Sequence, residues 1–303
     1  MPSPRIALSD SLELSRLVAG VMKWGVWGHA FDRAGFDRLI RGCLDQGVTT
    51  FDHADIYGHY TTEAAFGEVL RADPGLRDRL ELVTKCGIRL TTPNRPANRA
   101  KAYEVTADYI RASVEQSLKN LHTDRIDLLL IHRPSPLLRP DEVAETVRAL
   151  IDAGKVLHFG VSNFTPGQFA LLHDRIPLLT NQIECSALHD APLVDGTLDQ
   201  CLQHRIRPMA WSPLGGGAYF GDAPSPAAQR LRALFATLRA RYAGATDDQL
   251  LLAWLLRHPA GILPVLGTGK LARIEAAVAA TAIELDSQDW FLIWEAARGH
   301  EAA

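Results

Sequence analysis

No stretch of this chain approaches the roughly 18 consecutive apolar residues that a membrane-spanning helix needs, so no span is expected. The amino terminus, Met1-Pro2-Ser3-Pro4-Arg5, leads into no apolar run of the secretory type. A cytoplasmic location is the expectation. Charge of neither sign dominates. Thirty-two Lys and Arg against 35 Asp and Glu leave a formal net charge of −3, which argues against nucleic acid or an anionic membrane as partner. Cysteine is scarce. Cys43, Cys86, Cys185 and Cys201 show no CxxC pair and no metal-ligand spacing, so buried, reduced thiols and no metal are expected. No glycine-rich strand-to-helix fingerprint follows the first candidate strand, which weighs against a doubly wound open sheet.

What is present is ordinary for a globular chain with a large core: 47% apolar and 22% charged residues. Eight apolar, strand-like runs lie near Ser15–Gly20, Val48–Asp52, Leu80–Lys85, Ile126–His132, Val156–Ser162, Leu179–Ile183, Pro208–Trp211 and Ile262–Val265. Runs such as LLLIH and VLHFGVS are apolar on successive residues, as expected of strands buried on both faces. Helical periodicity marks Phe31–Leu44, Thr106–Leu121 and Asp141–Ala153 between them. At 303 residues, eight alternating units predict one α/β domain over 1–303, a (β/α)₈ barrel. A short hairpin over Arg5–Ser15 precedes it. Two long loops, Gly87–Tyr103 and Leu214–Pro226, are expected to be functional or mobile.

The strand ends carry the chemistry. Asp52, Lys85 and His132 close three of the runs, and Tyr57 follows Asp52 by five residues. In a barrel such positions converge on the mouth at the carboxyl ends of the strands. A phenol is a poor acid, with an ordinary pKa of about 10. An ammonium beside it favours the phenolate, and a carboxylate can hold that ammonium in place.

These residues, in this order, resemble the aldo-keto reductase superfamily, and within it the bacterial YdhF-like oxidoreductase branch. The resemblance runs from about Ser15 to Trp294. It implies reduction of a carbonyl by hydride from a nicotinamide, with Tyr57 as general acid. Lys85 would lower the Tyr57 pKa, Asp52 would pair with Lys85, and His132 would orient the carbonyl. It further implies a cofactor site. Ser162, Asn163 and Gln182 would hold the carboxamide, Trp211 would stack on the nicotinamide, and Ser212, Pro213, Leu214 and Gly215 would follow the pyrophosphate. Gly20 and Met22 would touch the cofactor as well. Gly267, Thr268, Gly269, Lys270 and Arg273 open a helix after the eighth strand, a setting that suits an anion. The cations favour the 2′-phosphate of NADP(H), with NAD(H) left open because Gly267 stands where relatives often carry a basic residue. Trp24, Tyr57 and His132 are expected to line the substrate pocket, with Trp27 and Tyr60 as further candidates, and His53 is read as packing. Beyond Trp290 only a final helix is expected, without the long carboxyl-terminal loop of some relatives. Together these features imply an open pocket for small aldehydes or ketones. Two other readings stay open: a non-catalytic, NADPH-binding regulatory subunit of the same fold, and a Schiff-base lyase that uses Lys85 as nucleophile.

Overall fold

The computed structural model describes residues 2–221 and 223–301. Arg5–Ser9 (β1) and Leu12–Ser15 (β2) pair antiparallel as the expected hairpin. Val18–Gly20 (β3), Thr50–Asp52 (β4) and Glu81–Cys86 (β5) follow. Ile88–Arg89 (β6) and Ala102–Tyr103 (β7) then form a small separate hairpin. Ile126–Ile131 (β8), Val156–Ser162 (β9), Asn181–Glu184 (β10), Met209–Trp211 (β11) and Leu263–Leu266 (β12) complete the strands. Eight of them close a parallel barrel in the order β3-β4-β5-β8-β9-β10-β11-β12. These are the eight runs expected from the sequence, with ends shifted by a few residues.

Packing follows from the pleat. Alternate residues of a strand share a face, so Val83 and Leu128 point inward with Val18, Leu130, Met209, Leu263 and Val265. Leu12 and Leu14 of the hairpin join this buried cluster. The barrel interior is therefore a filled core below the mouth. The outward faces of the strands pack on helices in two larger clusters, one around Phe36, Phe51 and Phe66 and one around Phe159, Phe169 and Trp254.

Helices cover the strands where periodicity predicted them. Arg33–Asp45 starts at Asp32, whose side chain caps Gly35 N, and buries Phe36, Leu39, Ile40 and Cys43. Ala107–Leu121 and Pro140–Asp152 match the other two expectations. In the second, Pro140 is the first helical residue, which suits its fixed φ and missing N–H. Ser287–Arg298 is the final helix. All four cysteines are buried and unpaired.

The segment 87–103 departs from an open loop. The β6–β7 hairpin shortens it, and Tyr60 Oη donates to Ile88 O and accepts from Leu90 N. Asn94 Nδ2 donates to His59 O, and the Arg95 guanidinium lies 4.5 Å from the Tyr60 ring centre. Seventeen residues can thus be held by the short turn that follows Tyr57. Within the second expected loop Gly215–Phe220 forms a 3₁₀ turn, and Asp222 lies outside the described residues.

Candidate active site

Strand register gathers the first group. Asp52 pairs with Val83, and Lys85 lies two residues further along β5, on the same face. The Lys85 ammonium donates to Asp52 Oδ2 at 2.7 Å, to His53 O at 2.8 Å and to Tyr57 Oη at 3.1 Å. An ammonium has three N–H bonds, so all three are used. Tyr57 Oη accepts from Lys85, which leaves its own O–H free to donate elsewhere. His132 N bonds Cys86 O at the end of β8, and the imidazole ring centre stands 6.0 Å from that of Tyr57. The structure brings all four residues together.

The electrostatics differ in one respect from the expectation. Burial pushes the Tyr57 phenol up, and Asp52 adds to this. The pull of Lys85 in the other direction does not overcome it. Tyr57 is therefore a protonated donor across neutral pH. Burial also works against the Lys85 charge, but Asp52 and Tyr57 outweigh it and hold Lys85 above its usual range. A lysine so committed as a cation is a poor nucleophile, which removes the basis of the lyase reading. Burial, followed by the charges of Lys85, Arg133 and Lys101, drives His132 well below the usual imidazole range. It is a neutral ring, and its buried Nδ1 has no partner among the described residues.

The turn after Tyr57 is unusual. Gly58, His59 and Tyr60 adopt left-handed φ of 59°, 59° and 70° in succession. Only glycine takes this conformation without steric cost. The two strained residues are fixed by the contacts to the 87–103 segment described above. Trp27 closes the near side, with its ring centre 6.1 Å from Tyr57 and 5.2 Å from His59.

Trp24 is not part of this pocket. It is 0% exposed, packs edge-on against Phe36 and Phe51, and donates Nε1–H to Thr268 O. Its indole ties the loop after β3 to the loop after β12. The nearby Trp27 is the indole that stands beside Tyr57. His53 packs as expected, its ring 4.5 Å from Phe66, with both nitrogens unpartnered and burial holding its pKa down at about 3. Its functional contribution is the backbone carbonyl that Lys85 grips.

A second group lines the far side of the mouth. Asn163 has φ 61° and Ser212 φ 50°, both left-handed at strand ends. Strain of this kind concentrates at functional positions. Asn163 Oδ1 accepts from Trp211 Nε1 at 2.9 Å, and its Nδ2 donates to Ser162 Oγ at 2.7 Å. Asn163 thereby fixes the Trp211 ring. Gln182, expected to hold a carboxamide, donates Nε2–H to Asp52 Oδ1 at 2.8 Å. A buried carboxylate oxygen without a donor would be costly, and Gln182 meets that need. Sequence reasoning missed this link, because nothing local joins residues 130 apart.

The remaining cofactor candidates form an open rim. Gly20 ends β3 against Leu266 O, and Met22 is partly exposed beyond it. Pro213 is buried and Leu214 half-buried, and Gly215, Gly216 and Gly217 follow with φ of 62°, 63° and 91°. After β12, Gly267 faces open space, and Gly269 packs against His29 and Phe31. Lys270 N donates to Thr268 Oγ1, and Lys270 stands at the N-cap position of the helix Leu271–Ala280 without a side-chain capping bond. Arg273 lies on its exposed first turn. Neither Lys270 nor Arg273 makes an ion pair among the described residues. Free amides, two free cations and room beside Gly267 fit a dinucleotide phosphate. Among the described residues no three His, Cys, Asp or Glu side chains gather to hold a metal.

Residues 16–298 match the aldo/keto reductase family model. The chain belongs to the aldo-keto reductase family. It is 49% identical to the oxidoreductase YdhF of Escherichia coli, over 95% of each chain. It is 46% identical to a 6-dehydroglucose reductase of Agrobacterium fabrum, over 99% of each. The fold is that of an aldo/keto reductase of Klebsiella pneumoniae solved with NADP and acetate. That structure has a TM-score of 0.72 and 26% identity over 92% of this chain and 90% of that one. Aldo-keto reductases are oxidoreductases that use nicotinamide cofactors. Among the described residues no helix is long and apolar enough to cross a membrane.

Proposed function

We propose that this chain is a cytoplasmic, single-domain NADPH-dependent reductase that converts small aldehydes and ketones to alcohols. One observation carries the reading: Lys85 spends all three N–H bonds on Asp52, His53 O and Tyr57 Oη. That leaves the Tyr57 proton aimed away from Lys85 and available to a substrate oxygen. A nicotinamide held at the rim would supply a hydride to the carbonyl carbon. Negative charge then builds on the carbonyl oxygen, and Tyr57 gives it a proton as it forms. Lys85 stabilises the phenolate left behind, and Asp52 keeps Lys85 charged and in place. Neutral His132 offers a second polar contact to the same oxygen, and a preorganised donor is worth most where charge develops.

The residues that would hold the cofactor are those of the rim. Trp211, fixed by Asn163, offers its ring to the nicotinamide. Ser212 to Gly215 and Gly267 to Gly269 offer backbone amides to phosphates, and Lys270 and Arg273 favour the 2′-phosphate of NADPH over the hydroxyl of NADH. Ser162 and Asn163 flank the carboxamide position, and Gln182 contributes its free Oε1. The Klebsiella relative bound to NADP supports the choice of cofactor. The 6-dehydroglucose reductase relative supports a carbonyl substrate that carries hydroxyl groups.

The test is NADPH oxidation, followed at its nicotinamide absorbance, against aliphatic, aromatic and hydroxylated aldehydes and ketones, with NADH in parallel. Turnover on at least one class, greater with NADPH, is expected. Tight NADPH binding without turnover on any class would point instead to a regulatory subunit.

A further inference from the structure

Two loops meet at the rim beside the helix Leu271–Ala280. The loop after β12 offers little side chain there, with glycine at 267 and 269. Over Gly269 lies the imidazole of His29, which comes from the loop after β3. A methyl group at position 269 would stand 2.7 Å from His29 Cδ2 and 3.1 Å from its Nε2, so the ring takes the space of a side chain. The imidazole stacks on Phe31, with 4.9 Å between ring centres and 16° between planes. Gly269 is buried and His29 is exposed. Neither imidazole nitrogen has a hydrogen bond or ion pair from a described residue. The proposed reaction and cofactor site so far use no part of His29.

The backbone around this ring is tightly bonded. His29 N donates to Lys23 O at 2.8 Å, Ala30 N to Gly25 O at 3.0 Å and Phe31 N to Trp24 O at 3.0 Å. Trp24 Nε1 donates in turn to Thr268 O at 2.9 Å, one residue before Gly269. The loop after β3 is thereby tied to the loop after β12 at the residues whose amides are assigned to phosphate. An anion seated on the amides of 267–269 has the imidazole as its neighbour. An imidazole offers one N–H when neutral and two when charged. A phosphate monoester is rich in charged acceptor oxygens, which strengthen each such bond, and the ribose hydroxyl of NADH carries no charge.

We propose that His29 reads the 2′-phosphate of NADPH, its N–H donating to a phosphate oxygen beside Lys270 and Arg273. The assignment rests on the proposed NADPH dependence and deepens it. Part of the cofactor choice then lies outside the helix start, on the loop after the first barrel strand. That loop also carries Trp27, beside Tyr57. A ring that only packed on Gly269, or only supported the adenine, would act on NADH and NADPH alike. A phosphate donor acts on NADPH alone.

The test is titration of the wild type and His29→Phe with NADPH and with NADH, read by quenching of tryptophan fluorescence. His29→Phe keeps an aromatic ring against Phe31 and Gly269 and removes both nitrogens. Its Kd for NADPH should rise about three- to tenfold, the low end for a hydrogen bond to a charged group. Its Kd for NADH should stay within about twofold of the wild type. Calorimetry with adenosine 2′,5′-bisphosphate and with AMP should repeat the pattern without a nicotinamide or any turnover. Should His29→Phe fail to fold, His29→Ala is judged by the same ratio. Equal weakening of NADPH and NADH, or no weakening of either, would overturn the assignment. The reading beneath it fails in a different way. A wild type that binds NADPH and NADH alike would remove 2′-phosphate recognition, and the role of His29 with it. A wild type whose preference for NADPH is lost in Arg273→Ala but kept in His29→Phe would remove His29 alone.

Discussion

Gln182 Nε2 donates to Asp52 Oδ1 at 2.8 Å, joining β10 to β4 across the barrel interior. With Lys85 on Oδ2, both oxygens of this buried carboxylate are satisfied. The position of Lys85 thus depends on a side chain from the opposite wall. Gln182→Ala removes the Oδ1 donor and should cost about 1–3 kcal/mol of stability, the usual range for an orphaned buried acceptor. Turnover should fall as well, because Asp52 is freed to rotate. Urea denaturation and kcat measured on the same preparation check both. Stability equal to the wild type would mean that Asp52 is not held by Gln182.

Tyr57→Phe deletes the proton donor and little else. Turnover should drop about 10²–10⁴-fold, the range for general acid catalysis. Cofactor affinity, read by quenching of tryptophan fluorescence, should stay within about twofold, a change of under 1 kcal/mol. Retained turnover would place the proton donor elsewhere.

The two neighbouring tryptophans should separate cleanly. Trp24→Phe loses the Nε1 bond to Thr268 O and part of a filled core, and should destabilise by about 1–3 kcal/mol. Trp27→Ala, at the half-buried pocket wall, should leave the melting temperature nearly unchanged. It should raise KM for aromatic aldehydes about two- to tenfold, as expected for one aromatic contact. Melting curves and aldehyde kinetics on the pair suffice, and the reverse pattern would return Trp24 to the pocket.

His53 gives the molecule an acid-side weakness. Its pKa is about 3 in the folded chain and about 6.5 when unfolded. Below pH 6.5 the unfolded state binds the proton and the folded state does not, so stability falls as pH falls through the window from 6.5 to 3. By pH 5 the loss from this residue is about 2 kcal/mol. His53→Leu should therefore show a smaller drop in unfolding free energy between pH 7.5 and pH 5. The drop should not vanish, because His132 is shifted in the same direction. An unchanged pH dependence would show that His53 titrates alike in the folded and unfolded chain.

Arg273→Ala should weaken NADPH about tenfold or more and NADH little, because a charge-assisted contact to the 2′-phosphate is lost. Titration with both cofactors is decisive. Equal losses would mean that Arg273 does not read that phosphate.

Much of this protein was legible in the sequence because the signals were local. Doubly buried strands announce themselves as unbroken apolar runs, and eight of these separated by helical periods leave few architectures besides a closed barrel. Asp52, Lys85 and His132 could be placed at the mouth because each directly ends a run or follows it, so strand direction alone aims them there. The sequence could not say which indole faces the pocket. Trp24 and Trp27 are three residues apart in an irregular loop, where no periodicity assigns a face, and only the packing of Phe36 and Phe51 draws Trp24 inward. Nor could it say that Gln182 serves Asp52, or that His29 lies over Gly269. Those contacts depend on barrel closure, which brings residues distant in the chain within a few ångströms. The net direction of the Tyr57 shift was likewise a tertiary matter: Lys85 is visible in the sequence, but the depth of burial that outweighs it is set by the folded walls around it.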